Sequence, residues 1–214
     1  MNQVSDLGSP VPEPPDERAA LPSTRPVFLV GMMGAGKTTI GKALARTLGW
    51  AFLDLDHELE ERCGVRVADI FDIEGEHGFR KRESALLDEC TRRSGIVLAT
   101  GGGAVLLPEN RRALQSRGIV VYLRAAPSEL YRRVARDRSR PLLQTDNPRE
   151  RLESLLAQRE PLYQDVSHIV FDTGQQPVGQ TTERLLACLL DYQPAQAGAA
   201  HPDTQRKSSC SNDM

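Results

Sequence analysis

Gly31-Met-Met-Gly-Ala-Gly36-Lys37-Thr38 sets glycines, a lysine and a hydroxyl at the spacing G-x-x-x-x-G-K-[ST], directly after the apolar run Val27–Val30. Glycines so placed let backbone N–H groups curl around phosphate oxygens. Apolar residues after Thr38 recur at helical spacing, so the loop joins a buried strand to a helix N-terminus, whose partial positive charge favours an anion. Gly34, Ala35, Gly36, Lys37, Thr38 and Thr39 are the candidate phosphate cradle. In such a loop the lysine reaches the β- and γ-phosphates and the Thr38 hydroxyl ligates Mg²⁺. The expected ligand is a nucleoside triphosphate.

Asp54-Leu55-Asp56 follows the next apolar run, Ala51–Leu53. These two carboxylates at a strand end are expected to have different jobs, one facing the metal and the other an acceptor hydroxyl. The alternative is a helix N-cap at Asp56 with Asp54 beside it. The run Ile96–Ala99 ends in Thr100-Gly101-Gly102-Gly103, with no acid to hold Mg²⁺, which leaves Asp54 as the best-placed metal carboxylate. Consecutive glycines suit close backbone approach to a ligand, or simply a flexible turn. Arg80 and Glu83 stand at i, i+3, so Glu83 can hold the guanidinium, and Phe79 adds an apolar wall; a solvated charged helix would read similarly. Arg132, Arg133, Arg136, Arg138 and Arg140 precede a polar loop ending at Pro148. They suit a lid closing over phosphates, at about 136–148, better than RNA binding, for which aromatic stacking partners are missing. Gln158-Arg159-Glu160-Pro161 places an arginine where the proline is expected to stop a helix.

These groups need a scaffold that brings them to one edge. Apolar runs at Val27–Val30, Ala51–Leu53, Ile96–Ala99, Ile119–Leu123 and His168–Phe171 alternate with helical patterns. The helices are expected at Thr38–Leu48, Asp56–Cys63, Glu76–Thr91, Asn110–Ser116, Ser128–Arg136, Arg149–Arg159 and Thr181–Leu190. Such alternation means right-handed crossovers and a parallel sheet covered on both faces, with ligands bound beyond the C-terminal strand ends. Residues 1–25 are Pro-rich and 193–214 lack apolar period, so both are expected to be disordered extensions of a domain spanning 26–192. A net charge of −2 gives no global field toward nucleic acid or membrane. No apolar stretch approaches the roughly 20 residues that cross a bilayer, and no leader pattern opens the chain, so a cytoplasmic protein is expected. Cys63, Cys90 and Cys188 read as reduced structural thiols and Cys210 as a tail residue.

Seven motifs in order resemble the shikimate kinase family from about Val27 to Leu190. They are Gly31–Thr38, Asp54-Leu-Asp56, Ala68-Asp-Ile-Phe71, Glu76-x-x-Phe79-Arg80-x-x-Glu83, Gly101-Gly-Gly103, Arg140-Pro-Leu-Leu143 and Arg159-x-Pro161-Leu-Tyr163. The resemblance implies a three-layer α/β/α phosphate-loop kinase with a five-stranded parallel sheet in the order 2-3-1-4-5. It implies a monomer that phosphorylates the 3-hydroxyl of shikimate with ATP and Mg²⁺. Arg80 and Arg159 match the pair gripping the shikimate carboxylate, and Glu83 the residue orienting Arg80. Gly102, Gly103 and Phe79 match the pocket around the ring. Asp56 matches the acid facing the hydroxyls, Asp54 the acid near Mg²⁺, and Arg140 the lid arginine on the transferring phosphate. Arg133 and Pro177 match the positions sandwiching adenine, Pro177 more loosely because the turn at Asp172–Gln176 is one residue shorter than in some relatives. Another small-molecule kinase, for gluconate or a nucleoside monophosphate, would change the acceptor pocket. A non-catalytic ATP-binding regulator predicts loss of Lys37, Asp54, Asp56 or Arg140, all of which are present.

Overall fold

Short, largely apolar strands that alternate with helices dictate a sheet buried between them. The computed structural model describes residues 25–135, 137 and 141–192, and the backbone of 208–210. Its strands are β1 (Val27–Val30), β2 (Ala51–Asp54), β3 (Ile96–Ala99), β4 (Ile119–Arg124) and β5 (Ile169–Asp172), all parallel and in the expected order β2-β3-β1-β4-β5. A sixth strand, β6 (Ser208–Cys210), pairs parallel with β5, in register Ile169↔Ser208. The five expected strands stand in the expected order, and β6 is added beyond them at the β5 edge. The cause is the open backbone of β5, an edge that accepts another strand. Residues 1–24 and the remainder of the C-terminal segment lie outside the described residues.

The helices are α1 (Lys37–Leu48), α2 (Leu55–Cys63), α3 (Val67–Cys90), α4 (Pro108–Arg117), α5 (Pro127–Val134), α6 (Pro148–Val166) and α7 (Val178–Asp191). Along β1 the side chains alternate between two cores. Val27 and Leu29 pack with Leu44, Leu156 and Leu185, while Phe28 and Val30 pack with Leu55, Leu87 and Leu114. Each such fully buried side chain contributes about 1.5–3 kcal/mol. No helix among the described residues is long and apolar enough to cross a membrane.

Three expectations are corrected. α3 begins at Val67 rather than Glu76 and is bent at Gly75, whose φ of 69° interrupts the helical run. α6 does not stop at Arg159 but continues through Pro161 to Val166. Its buried stripe, Leu152, Leu155, Leu156, Arg159, Tyr163 and Val166, keeps helical spacing across the proline, so packing outweighs the one lost backbone bond. Cys63 and Cys90 are free thiols as expected, whereas Cys188 on α7 is disulfide-bonded. Pairing of this kind is not carried by sequence spacing.

Candidate active site

β1 delivers the chain into Gly31–Gly36 at the C-terminal edge of the sheet. Gly34 (φ 80°) and Gly36 (φ 93°) take left-handed backbone, which side-chain-bearing residues avoid, and Gly36 caps α1. The first turn of α1 contains no acid, so its orphan N–H groups and dipole face the cleft uncompensated. Lys37 Nζ donates to the carbonyls of Gly31 at 2.8 Å and Met32 at 3.0 Å. Gly34, Gly36, Lys37, Thr38 and Thr39 line a cleft of about 890 Å³, while Ala35 is buried and only its backbone serves the loop.

Across this cleft stands Asp54, the last residue of β2. Its Oδ2 accepts from Thr38 Oγ1 at 2.7 Å, and its Oδ1 accepts from the Asp56 amide at 3.2 Å. Asp54, not Asp56, is therefore the N-cap of α2. Asp56 lies in the first helical turn, so the chain turns between the two carboxylates, whereas an extended strand would carry both on one face. The Thr38–Asp54 pair fits Mg²⁺: two adjacent hard oxygens, with no cluster of three His, Cys, Asp or Glu among the described residues. That cation characteristically keeps waters and phosphate oxygens in its shell rather than a full protein cage.

The acceptor side is built by α3, α6 and the glycine turn. Arg80 Nη1 donates to Glu83 Oε2 at 2.6 Å, and Nη2 donates to Glu76 Oε1 at 3.1 Å. Burial lowers the Arg80 pKa, but the Glu83 charge and hydrogen bond outweigh it and hold the guanidinium charged. Burial pushes the Glu83 carboxyl up, opposed by Arg80, and its Oε1 has no hydrogen-bond partner. Breaking such a buried pair costs about 3–5 kcal/mol, so Arg80 is fixed before any ligand arrives. The glycine turn adapts to these charges. A Cβ on Gly103 would overlap the Arg80 guanidinium, and one on Gly101 would overlap Glu83 Oε1 and sit 3.0 Å from Asp56 Oδ1. Phe79 packs against Phe71 at 4.5 Å between ring centroids and under Arg80 at 5.0 Å. Arg159 enters from α6 and is 3 % exposed. No carboxylate lies within ion-pairing distance of it among the described residues.

Asp56, Phe79, Arg80, Gly102, Gly103 and Arg159 thus line one small pocket, and Asp56 and Gly102 also line the nucleotide cleft. Donor and acceptor cavities meet at these two residues and at Met33 and Val67. Phe71, Val67, Met33 and Leu142 line the pocket as well and were not singled out as site residues. Met33, Phe71 and Leu142 lie inside the motifs Gly31–Thr38, Ala68–Phe71 and Arg140–Leu143 and Val67 just outside them, but none of the aliphatic three carries chemistry visible from residue type. A family model described as shikimate kinase matches residues 33–190.

The chain belongs to the shikimate kinase family.

A shikimate kinase of Bordetella avium is 62% identical over 175 residues, covering 82% of this chain and 84% of its own length. A solved shikimate kinase from Acinetobacter baumannii, in complex with shikimate, superposes with a TM-score of 0.77 at 46% identity, over 78% of this chain and 94% of its own. A gluconokinase from Sinorhizobium meliloti reaches 0.52 at 19% identity over 78% of this chain and 91% of its own, a shared fold alone. The chain is accordingly a phosphotransferase of the shikimate kinase family. On the adenine side, Arg133 donates to the carbonyls of Gly34 at 3.1 Å and Gly174 at 2.9 Å, tying the phosphate loop to the turn that carries Pro177. Arg140 lies outside the described residues. Close to it in the chain, Leu142 lines the acceptor pocket and Gln144 the nucleotide cleft.

Proposed function

We propose that the chain transfers the γ-phosphoryl group of ATP to the 3-hydroxyl of shikimate, giving ADP and shikimate 3-phosphate. The observation that carries this reading is Arg159, a buried guanidinium without a carboxylate partner among the described residues, beside an Arg80 already neutralised by Glu83. A buried guanidinium that no carboxylate pairs with calls for an anionic ligand group. A ring carboxylate supplies it, and the Phe79 and Phe71 rings suit the apolar face of a compact ring. Arg80 and Arg159 then orient the acceptor, and Asp56, at the junction of the two cavities, takes its hydroxyl proton. Lys37 and Arg140 spread the charge of the moving phosphoryl group, and the lid excludes water as competing acceptor. Thr38 and Asp54 would hold Mg²⁺, which supplies charge neutralisation at the β- and γ-oxygens when bound. Arg133 and Pro177 would flank adenine. The proposed setting is a monomer acting in the cytoplasm, where ATP turns over.

A coupled ADP-release assay offering shikimate, gluconate and AMP in parallel tests the acceptor. Release with shikimate alone is expected, and preference for either rival would overturn the reading. Arg159→Lys keeps the charge but loses the two-pronged contact. The expected loss of about 1.5–3 kcal/mol raises KM for shikimate roughly ten- to a hundredfold with KM for ATP unchanged. A shift in the ATP constant instead would move Arg159 to the nucleotide site.

A further inference from the structure

Because α6 runs through Pro161, Arg159 and Tyr163 stand one turn apart on its buried face. Tyr163 is fully buried, its ring stacked on Tyr122 with centroids 5.1 Å apart. Its hydroxyl donates to the Gly102 carbonyl at 2.5 Å and lies 3.8 Å from Met32 Sδ in the phosphate loop. Burial pushes its pKa up to about 12, against the lowering effect of Arg159, so the group stays a proton donor at any working pH.

The Gly102 carbonyl and the Gly103 N–H belong to one trans peptide, so they point to opposite sides of the chain. A carbonyl held toward Tyr163 turns the Gly103 N–H the other way, toward the side where Gly103 lines the acceptor pocket beside Arg80. Neither the Gly102 nor the Gly103 N–H donates a hydrogen bond among the described residues. Two adjacent glycines give this peptide an unusually low barrier to rotation, and nothing in their own side chains can fix it. We infer that Tyr163 is a positioning residue that locks the Gly102–Gly103 peptide, and with it the backbone wall of the acceptor pocket beside Arg80 and Arg159. The inference rests on the carboxylate-binding role proposed above for that pocket.

Tyr163→Phe keeps the ring and its stacking and removes only the hydroxyl. KM for shikimate is expected to rise roughly three- to tenfold, the effect of one hydrogen bond, with kcat and KM for ATP within about twofold. A purely structural role would move stability or all constants together. In the ¹⁵N-labelled full chain, shikimate should shift the Gly103 amide resonance, and the shift should shrink by at least half in the variant. An unchanged KM with an unchanged amide shift in Tyr163→Phe overturns the role of Tyr163 while leaving the pocket assignment intact. A wild-type Gly103 amide that ignores saturating shikimate overturns the pocket assignment and this inference with it. Should the variant not fold, the ligand-free wild type decides. A locked peptide gives a Gly103 order parameter near the rigid-backbone value of about 0.85, and one below about 0.6 overturns the lock.

Discussion

Lys37→Ala is expected to lower turnover by about 10²–10³-fold or more while the protein still folds. The motif brings this ammonium to the β- and γ-oxygens, where its stabilisation grows as charge develops during transfer. In the structure it bridges the Gly31 and Met32 carbonyls, at the mouth of the loop and not in either core. Two loop carbonyls losing a charged donor cost on the order of 1–3 kcal/mol, a tolerable fraction of a domain's stability. Steady-state ADP release and thermal unfolding by circular dichroism, measured on one preparation, separate the two effects. Near-normal turnover would remove Lys37 from the catalytic group, and an unfolded variant would make it a structural clamp.

What could be foreseen divides along physical lines. Val27–Val30 and the loop after it were legible because backbone sterics, helix dipole and phosphate chemistry all constrain the same eight residues. The Arg80–Glu83 pair was legible because i, i+3 spacing determines contact within a helix, and the contact is there at 2.6 Å. Pro161 misled, since the local penalty of a helix proline is visible in sequence while the burial of Leu155, Tyr163 and Val166 that offsets it is not. The bend at Gly75 and the early start of α3 likewise depend on how α3 lies on α2. The triple glycine suggests room for a ligand, and two of its members are also required by the protein's own Glu83, Asp56 and Arg80, a three-dimensional fact with no sequence period. β6 and the Cys188 disulfide both depend on where a distant segment returns, which composition does not encode. The task of Tyr163 is invisible in the sequence, because its target is a backbone carbonyl 61 residues away.

Asp56→Asn is expected to depress the chemical step strongly, roughly 10²–10⁴-fold if the full general-base effect applies, with a smaller change in shikimate binding. Its backbone is fixed independently of its own side chain, through the amide bond to Asp54 Oδ1. An asparagine there keeps nearly the same shape and still hydrogen-bonds an acceptor hydroxyl, so the ground-state complex survives. It cannot take the proton, nor supply the negative charge that favours its departure. A loose phosphoryl transition state asks less of a base and more of positioning, which favours the lower end of that range. The position argues for chemistry over mere contact, since Asp56 lines both the nucleotide cleft and the acceptor pocket and its Oδ1 packs against the Gly101 turn between them. Glu83 stands close enough for each carboxylate to feel the other's charge, and Arg80 and Arg159 balance it, so removing the Asp56 charge also leaves the buried site more positive. Acceptor carboxylate affinity should therefore hold or improve slightly in the variant even as the rate collapses. Single-turnover kinetics at saturating ATP and shikimate isolate the chemical step from binding. An unchanged step with weakened shikimate binding would make Asp56 a clamp on the acceptor hydroxyl and return the burden of catalysis to Lys37 and the lid.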